Sequence, residues 1–334
     1  MVEQGAYRLL FGRYLATGLA HMLRAVTAAG DILADETRVQ AWHLLSFALR
    51  QRELWPGSRD LLLALAPRME RRGLQEEWLA HLQAGAACGE AAGDLRAAAA
   101  LRLALGEVLR HLGRLDDAQQ ELRRSLQAAV AVEDSEQTAA ARVALGGLAV
   151  LREEWEEAFA LCSVVLREPC ISARTRARAL FVIADACAAT HEEERAYDHY
   201  SRSLALWEQQ GNKTWMALCR HNLAWLSVKA DHETARSHFG AALAAFQELQ
   251  APHAQAVVLI DWGIVEYQSG NLAAALAHYQ AAESILRRLD DTRYLAMVCN
   301  NIALAYRSGG QWQEAEVYYA ESIELWRVLG AVLA

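Results

Sequence analysis

Small and bulky apolar positions recur along this chain with a period near 40 residues, and four columns of them run through seven copies. The first column is small: Ala66, Gly106, Gly146, Ala184, Ala224, Gly263 and Ala303. Steps along it are 40, 40, 38, 40, 39 and 40 residues. The second stands 11 or 12 residues later, at Trp78, Ala118, Ala158, Ala196, Ala235, Ala275 and Ala315. A third is bulky or apolar (Leu82, Leu122, Cys162, Tyr200, Phe239, Tyr279, Tyr319), and the fourth mostly small (Gly85, Ser125, Val165, Ser203, Ala242, Ala282, Ser322). The last three columns fall at i, i+4 and i+7, one face of an α-helix. The first belongs to a preceding helix, and Gly73, Gly113, Gly270 and Gly310 mark turns between the two.

Each copy therefore reads as a hairpin of helix A and helix B. Small residues let the two helices approach, and the bulky column fills the space toward the next hairpin. One hairpin cannot bury both its faces, so the copies must stack. The seven hairpins are expected to begin near residues 58, 99, 139, 177, 217, 256 and 296. Copy one departs most: Trp78 replaces the small residue, and Pro67 falls inside its helix A, predicting a kink or a late helix start.

Residues 1–57 lie outside the columns. YRLLFGRYLATGLAHMLRAVTAAG and ETRVQAWHLLSFALRQRE read as amphipathic helices closed by a turn at Trp55-Pro56-Gly57, a degenerate N-terminal cap or junction before an array over 58–334. Gly330–Ala334 reads as a linker stopping where an eighth helix would begin. The array is thus expected to be truncated, leaving Trp312, Tyr319, Ile323 and Trp326 on an uncapped last copy.

Composition agrees with a helical array. Hydrophobic residues make up 54% of the 334, and only 4 are Pro. Lys213 and Lys229 are the only lysines among 33 basic residues, a bias that points to a GC-rich bacterial genome. The net charge of −8 is spread evenly over the chain, so no basic stripe for nucleic acid is predicted. The start carries Glu3 and no long apolar region, and no apolar run is long enough for a membrane span; the soluble cytoplasm is the expectation.

The six cysteines (88, 162, 170, 187, 219, 299) show no metal-like spacing and read as reduced structural thiols. GxxxxGK[ST], GxGxxG and HExxH are absent; His191-Glu192-Glu193-Glu194-Arg195 only approximates the last and falls in a turn. Acid clusters such as Glu153-Glu154 and Glu156-Glu157 suit turns and helix N-termini. Trp207 and Trp326 share a helix-B column with Phe246 and read as packing. No enzyme activity, cofactor or metal is expected.

The small residue on helix A, the turn Gly and the Ala…aromatic…Ala face of helix B resemble the tetratricopeptide repeat over about residues 58–330. The period is nearer 40 than the usual 34, similar to kinesin-light-chain-like arrays and to the sensor regions of bacterial signalling ATPases and transcription activators. That resemblance implies an all-α fold, a right-handed α-solenoid of about seven hairpins. It also implies a non-catalytic scaffold that takes a protein or peptide segment in its concave groove. The alternative it leaves is the effector-sensing region of a larger signalling ATPase or transcription regulator.

In that family helix A lines the groove. The inward positions are those two and three before the small column and one after it: His221, Asn222 and Trp225 in copy five, Ile260, Asp261 and Ile264 in copy six, Asn300, Asn301 and Leu304 in copy seven. In peptide-binding relatives Asn at this place clamps a ligand backbone, and an amide suits that role by offering both donor and acceptor. Copies two to four carry Glu107, Arg110, Arg178 and Asp185 there instead. The paired-Lys carboxylate clamp of chaperone-binding relatives is missing.

Overall fold

The computed structural model describes residues 2–29, 33–69 and 75–333, and every regular element among them is helical. After α1 (Val2–Ala28), α2 (Asp35–Ala48) and a short 3-10 turn (Arg52–Leu54), A and B helices alternate. The A helices are α3 (Trp55–Met69), α5 (Leu95–His111), α7 (Ser135–Leu151), α9 (Ala173–Ala189), α11 (Lys213–Ser227), α13 (Pro252–Gln268) and α15 (Thr292–Ser308). The B helices are α4 (Gln75–Ala91), α6 (Leu115–Ala131), α8 (Trp155–Arg167), α10 (Glu193–Gln210), α12 (His232–Glu248), α14 (Leu272–Leu289) and α16 (Trp312–Leu333).

The chain forms two compact units, Met1–Thr190 and His191–Ala334. Within the first, α3 packs on α4, α5 on α6 and α7 on α8; within the second, α11 packs on α12, α13 on α14 and α15 on α16.

The columns sit where their chemistry places them. Every member of the second is buried, from Trp78 to Ala315. The first column makes room for the third. A Cβ on Gly106 would lie 2.5 Å from Leu122 Cγ, one on Gly146 2.7 Å from Cys162 Sγ, and one on Gly263 2.4 Å from Tyr279 Cε1. Fourth-column serines close the pair by hydrogen bonding: Ser125 Oγ donates to the Ala99 carbonyl at 2.7 Å and Ser322 Oγ to the Ala296 carbonyl at 2.8 Å. Buried hydroxyls are thereby satisfied on helix A.

Helix starts differ from the column reading. Each A helix begins three or four residues earlier than expected. The columns mark mid-helix, whereas the start is set by caps: Asp94, Asp134, Ser172, Asn212 and Asp291 each accept a hydrogen bond from the backbone N–H three residues on. Trp55-Pro56-Gly57 is likewise no turn but the first turn of α3, where proline is tolerated because its missing N–H has no intrahelical partner. Helix A of copy one therefore starts early, and Pro67 falls in its last turn. Gly330 continues α16, which runs to Leu333 instead of ending in a linker; Ala334 and Gly73 lie outside the described residues.

Ten of the described turns between helices use the left-handed region. Gly93, Gly113, Gly211, Gly270 and Gly310 have positive φ, and so do Glu133, Glu153, His191, Gln250 and Asp290 at other helix ends. Trp207 and Phe246 are buried as expected; Trp207 stacks on Trp215 of the following A helix, 5.3 Å between centroids. Trp326 occupies the same column but is 44% exposed.

Candidate functional site

The predicted site residues all belong to the A helices of the second unit. On each helix they take the spacing of one face: His221, Asn222 and Trp225 on α11; Ile260, Asp261 and Ile264 on α13; Asn300, Asn301 and Leu304 on α15; Leu218, Val257 and Met297, not among the predicted residues, precede them by one turn on the same helices. Most are half-buried, and Met297 is 41% exposed. Ile260 is the correction. It is 3% exposed and packs in a cluster with Ala256, Tyr279 and Ile302, so it is core, not ligand-facing surface. One residue of helical rotation separates Ile260 from the half-buried Asp261.

Two bonds join the A helices side by side. His221 Nε2 lies 2.7 Å from Asp261 Oδ2, linking α11 to α13, and Tyr267 Oη lies 2.8 Å from Ser308 Oγ, linking α13 to α15. Helical spacing alone presents His221 and Asp261 as separate groups; the fold brings them together. Phe239 of α12 backs this face, its ring 6.0 Å from His221 and 6.4 Å from Trp225. Asn300 and Asn301 are different: their amides hydrogen-bond no other group among the described residues. Polar groups thus run between two apolar rows, Leu218–Val257–Met297 on one side and Trp225–Ile264–Leu304 on the other.

In the first unit the corresponding wall is closed by charge pairing. Arg178 of α9 reaches past α7 to the buried Glu107 of α5, which also accepts from Arg110 Nε at 2.9 Å. Gly147, the α7 residue that corresponds to Glu107, has only Val182 within 4 Å of an added Cβ. Burial acts to raise the Glu107 carboxyl, but Arg178 and Arg110 outweigh it and hold the group at about 2. Burial and the neighbouring Arg110 push the His111 imidazole down. Of the four charged residues expected on this wall, three form one cluster; Asp185 stays half-buried on α9.

Column reasoning missed the buried Glu266. It accepts from Arg236 at 2.6 and 2.8 Å and from Asn271 and Trp262 as well, and the Arg236 bond holds its carboxyl low despite burial. Glu283, Cys299 and Glu321 bring metal-type donors together, but Arg287 bonds both carboxylates at 2.7 Å and already supplies their counter-charge. Burial first, then the two glutamates, pushes the Cys299 thiol up to about 12. No helix among the described residues is long and apolar enough to cross a membrane.

A family model described as tetratricopeptide repeat matches residues 96–162 and 254–328. Over those residues the chain carries tetratricopeptide repeats. No curated protein matches its sequence. Among solved structures, this chain is similar to the apo form of the quorum sensor NprR from B. thuringiensis (TM-score 0.66, 15% identity, covering 96% of this chain and 86% of that one). It is similar also to a Rap protein complexed with Competence and Sporulation Factor (TM-score 0.61, 13% identity, 96% and 99%). A third is a Signal Transduction ATPase with Numerous Domains from Pyrococcus horikoshii that carries a tetratricopeptide repeat sensor (TM-score 0.61, 13% identity, 96% and 52%). At these identities the likeness is one of fold.

Proposed function

We propose that the chain is a binding scaffold, not an enzyme, and that it holds an extended protein or peptide segment along the A-helix face of the second unit. The observation that carries this is the pair of uncommitted amides, Asn300 and Asn301, set between half-exposed apolar rows on α15. An amide in that position costs little while solvated and gains a donor and an acceptor when a peptide backbone arrives. Packed helices stand roughly 8–10 Å apart, and an extended chain rises about 3.3 Å per residue, so about three ligand residues pass each A helix. The amides and Asp261 engage the backbone, while Trp225, Ile264, Leu304 and Met297 meet apolar side chains. The Rap neighbour was solved complexed with Competence and Sporulation Factor, which supports a binding role for a chain of this fold.

The test is a peptide selected from a random displayed library against the intact chain, then titrated calorimetrically. Asn300→Ala combined with Asn301→Ala should weaken it roughly 10- to 100-fold, with little change in melting temperature. Equal binding by both proteins would remove the amide role.

A further inference from the structure

A second site lies in the first unit, apart from the peptide face. Between α1 and the segment after α2 is a cavity of about 630 Å³, within the range of small-molecule sites. Arg13, Arg50 and Arg52 line it, with Gln51 and Glu53. Gly12 lies in the same wall, and the Gln51 amide oxygen sits 3.5 Å from where its Cβ would be, so α1 and the segment approach closely there.

Many arginines of the molecule meet carboxylates: Arg102 pairs with Glu90 and Glu121, Arg236 with Glu266, Arg287 with Glu283 and Glu321. In this cavity three converge on one space. Arg13, Arg50 and Arg52 pair with no carboxylate among the described residues, and Arg50 only stands 6.0 Å over the Phe47 ring. Three like charges around one space repel one another, and in a chain of net charge −8 their convergence is not a by-product of a basic surface. Glu53 offsets one of them, leaving two positive charges in the lining. That balance suits a dianion. A single carboxylate would leave one charge over, whereas a phosphoryl group takes both, and its oxygens match the guanidinium fork.

Arg50, Gln51 and Arg52 also line an apolar cavity of about 340 Å³ with Trp55, Ala87 and Cys88. A ligand using both carries an apolar body on its phosphoryl group. We propose that this site binds a small phosphate monoester, its dianionic head on Arg13, Arg50 and Arg52.

The experiment titrates phenyl phosphate into the intact chain by calorimetry. Saturable binding is expected, with Arg13→Ala, Arg50→Ala and Arg52→Ala each weakening it roughly tenfold. The three arginines are exposed, so circular dichroism and melting temperature should stay unchanged. Arg123→Ala, an exposed arginine on α6, should bind like the parent, and Arg50→Lys should retain more affinity than Arg50→Ala. Benzoate, similar in body but singly charged, should bind at least tenfold more weakly. The proposal is overturned by no saturation at millimolar phenyl phosphate, by equal binding in the arginine variants, or by benzoate binding as well as the phosphate.

Discussion

Gly263→Ala sets two effects against each other at one atom. Gly263 lies in the middle of α13, where replacing glycine by alanine ordinarily stabilises a helix by about 1 kcal/mol. Here the new methyl would sit 2.4 Å from Tyr279 Cε1 and 2.6 Å from Cδ1, more than an ångström inside ordinary contact. Tyr279 is 2% exposed and its ring is enclosed, so it has little room to yield. Overpacking of this kind costs typically about 1–3 kcal/mol, which offsets the propensity gain and leaves a net loss of up to about 2 kcal/mol. The two terms separate on a second background. With Tyr279→Ala the obstructing ring is gone, and Gly263→Ala should then stabilise by about 1 kcal/mol. Gly240→Ala, mid-helix in α12 with its nearest neighbour at 3.8 Å, should stabilise in the parent protein. Urea melts of the four proteins of the cycle, plus Gly240→Ala, measure this. If Gly263→Ala stabilises the parent, or if the effect keeps its sign without the tyrosine, the account of the first and third columns is wrong.

The buried Glu107 should make the first unit acid-sensitive. Its carboxyl is held at about 2 against an ordinary 4.5, so its stabilising contribution is complete above about 4.5 and is lost as pH falls toward about 2. Glu107→Gln should cost on the order of 3 kcal/mol near neutrality, leaving Arg110 and Arg178 without their partner, and should flatten the acid limb of a melting-temperature profile. An unchanged acid limb in the variant would show that other carboxylates govern it. Gln250, with φ of 50° at a helix end, should accept glycine with a gain of up to about 1 kcal/mol, read from thermal melts; a loss would mean its side chain contributes more than the backbone strain costs.

Much of the fold was legible because its packing rests on side-chain size. A small residue facing a bulky one leaves a periodic trace, and Gly106 against Leu122 or Gly263 against Tyr279 is that trace in three dimensions. Helix starts were less legible: Asp94, Asp134, Ser172, Asn212 and Asp291 cap A helices, yet each differs from its neighbours enough to drop out of a column search. Their common signal is a polar residue about twelve positions before the small column. Left-handed turns at Glu153, Gln250 and Asp290 were hidden because nothing in those residue types announces positive φ. At the proposed site, helical spacing selects a set of positions on each A helix but does not resolve one residue of rotation, so it groups the buried Ile260 with the half-buried Asp261. The His221–Asp261 and Arg178–Glu107 bonds join different A helices, one and two copies apart, and no local pattern encodes such pairing.

The claim that the A-helix face of the second unit is the binding surface is tested most directly by hydrogen exchange with and without a library-selected peptide. Slowed exchange is predicted in α11, α13 and α15, strongest around Asn300 and Asn301, with α12, α14 and α16 little changed. Protection confined to those B helices, or to the first unit, would contradict it.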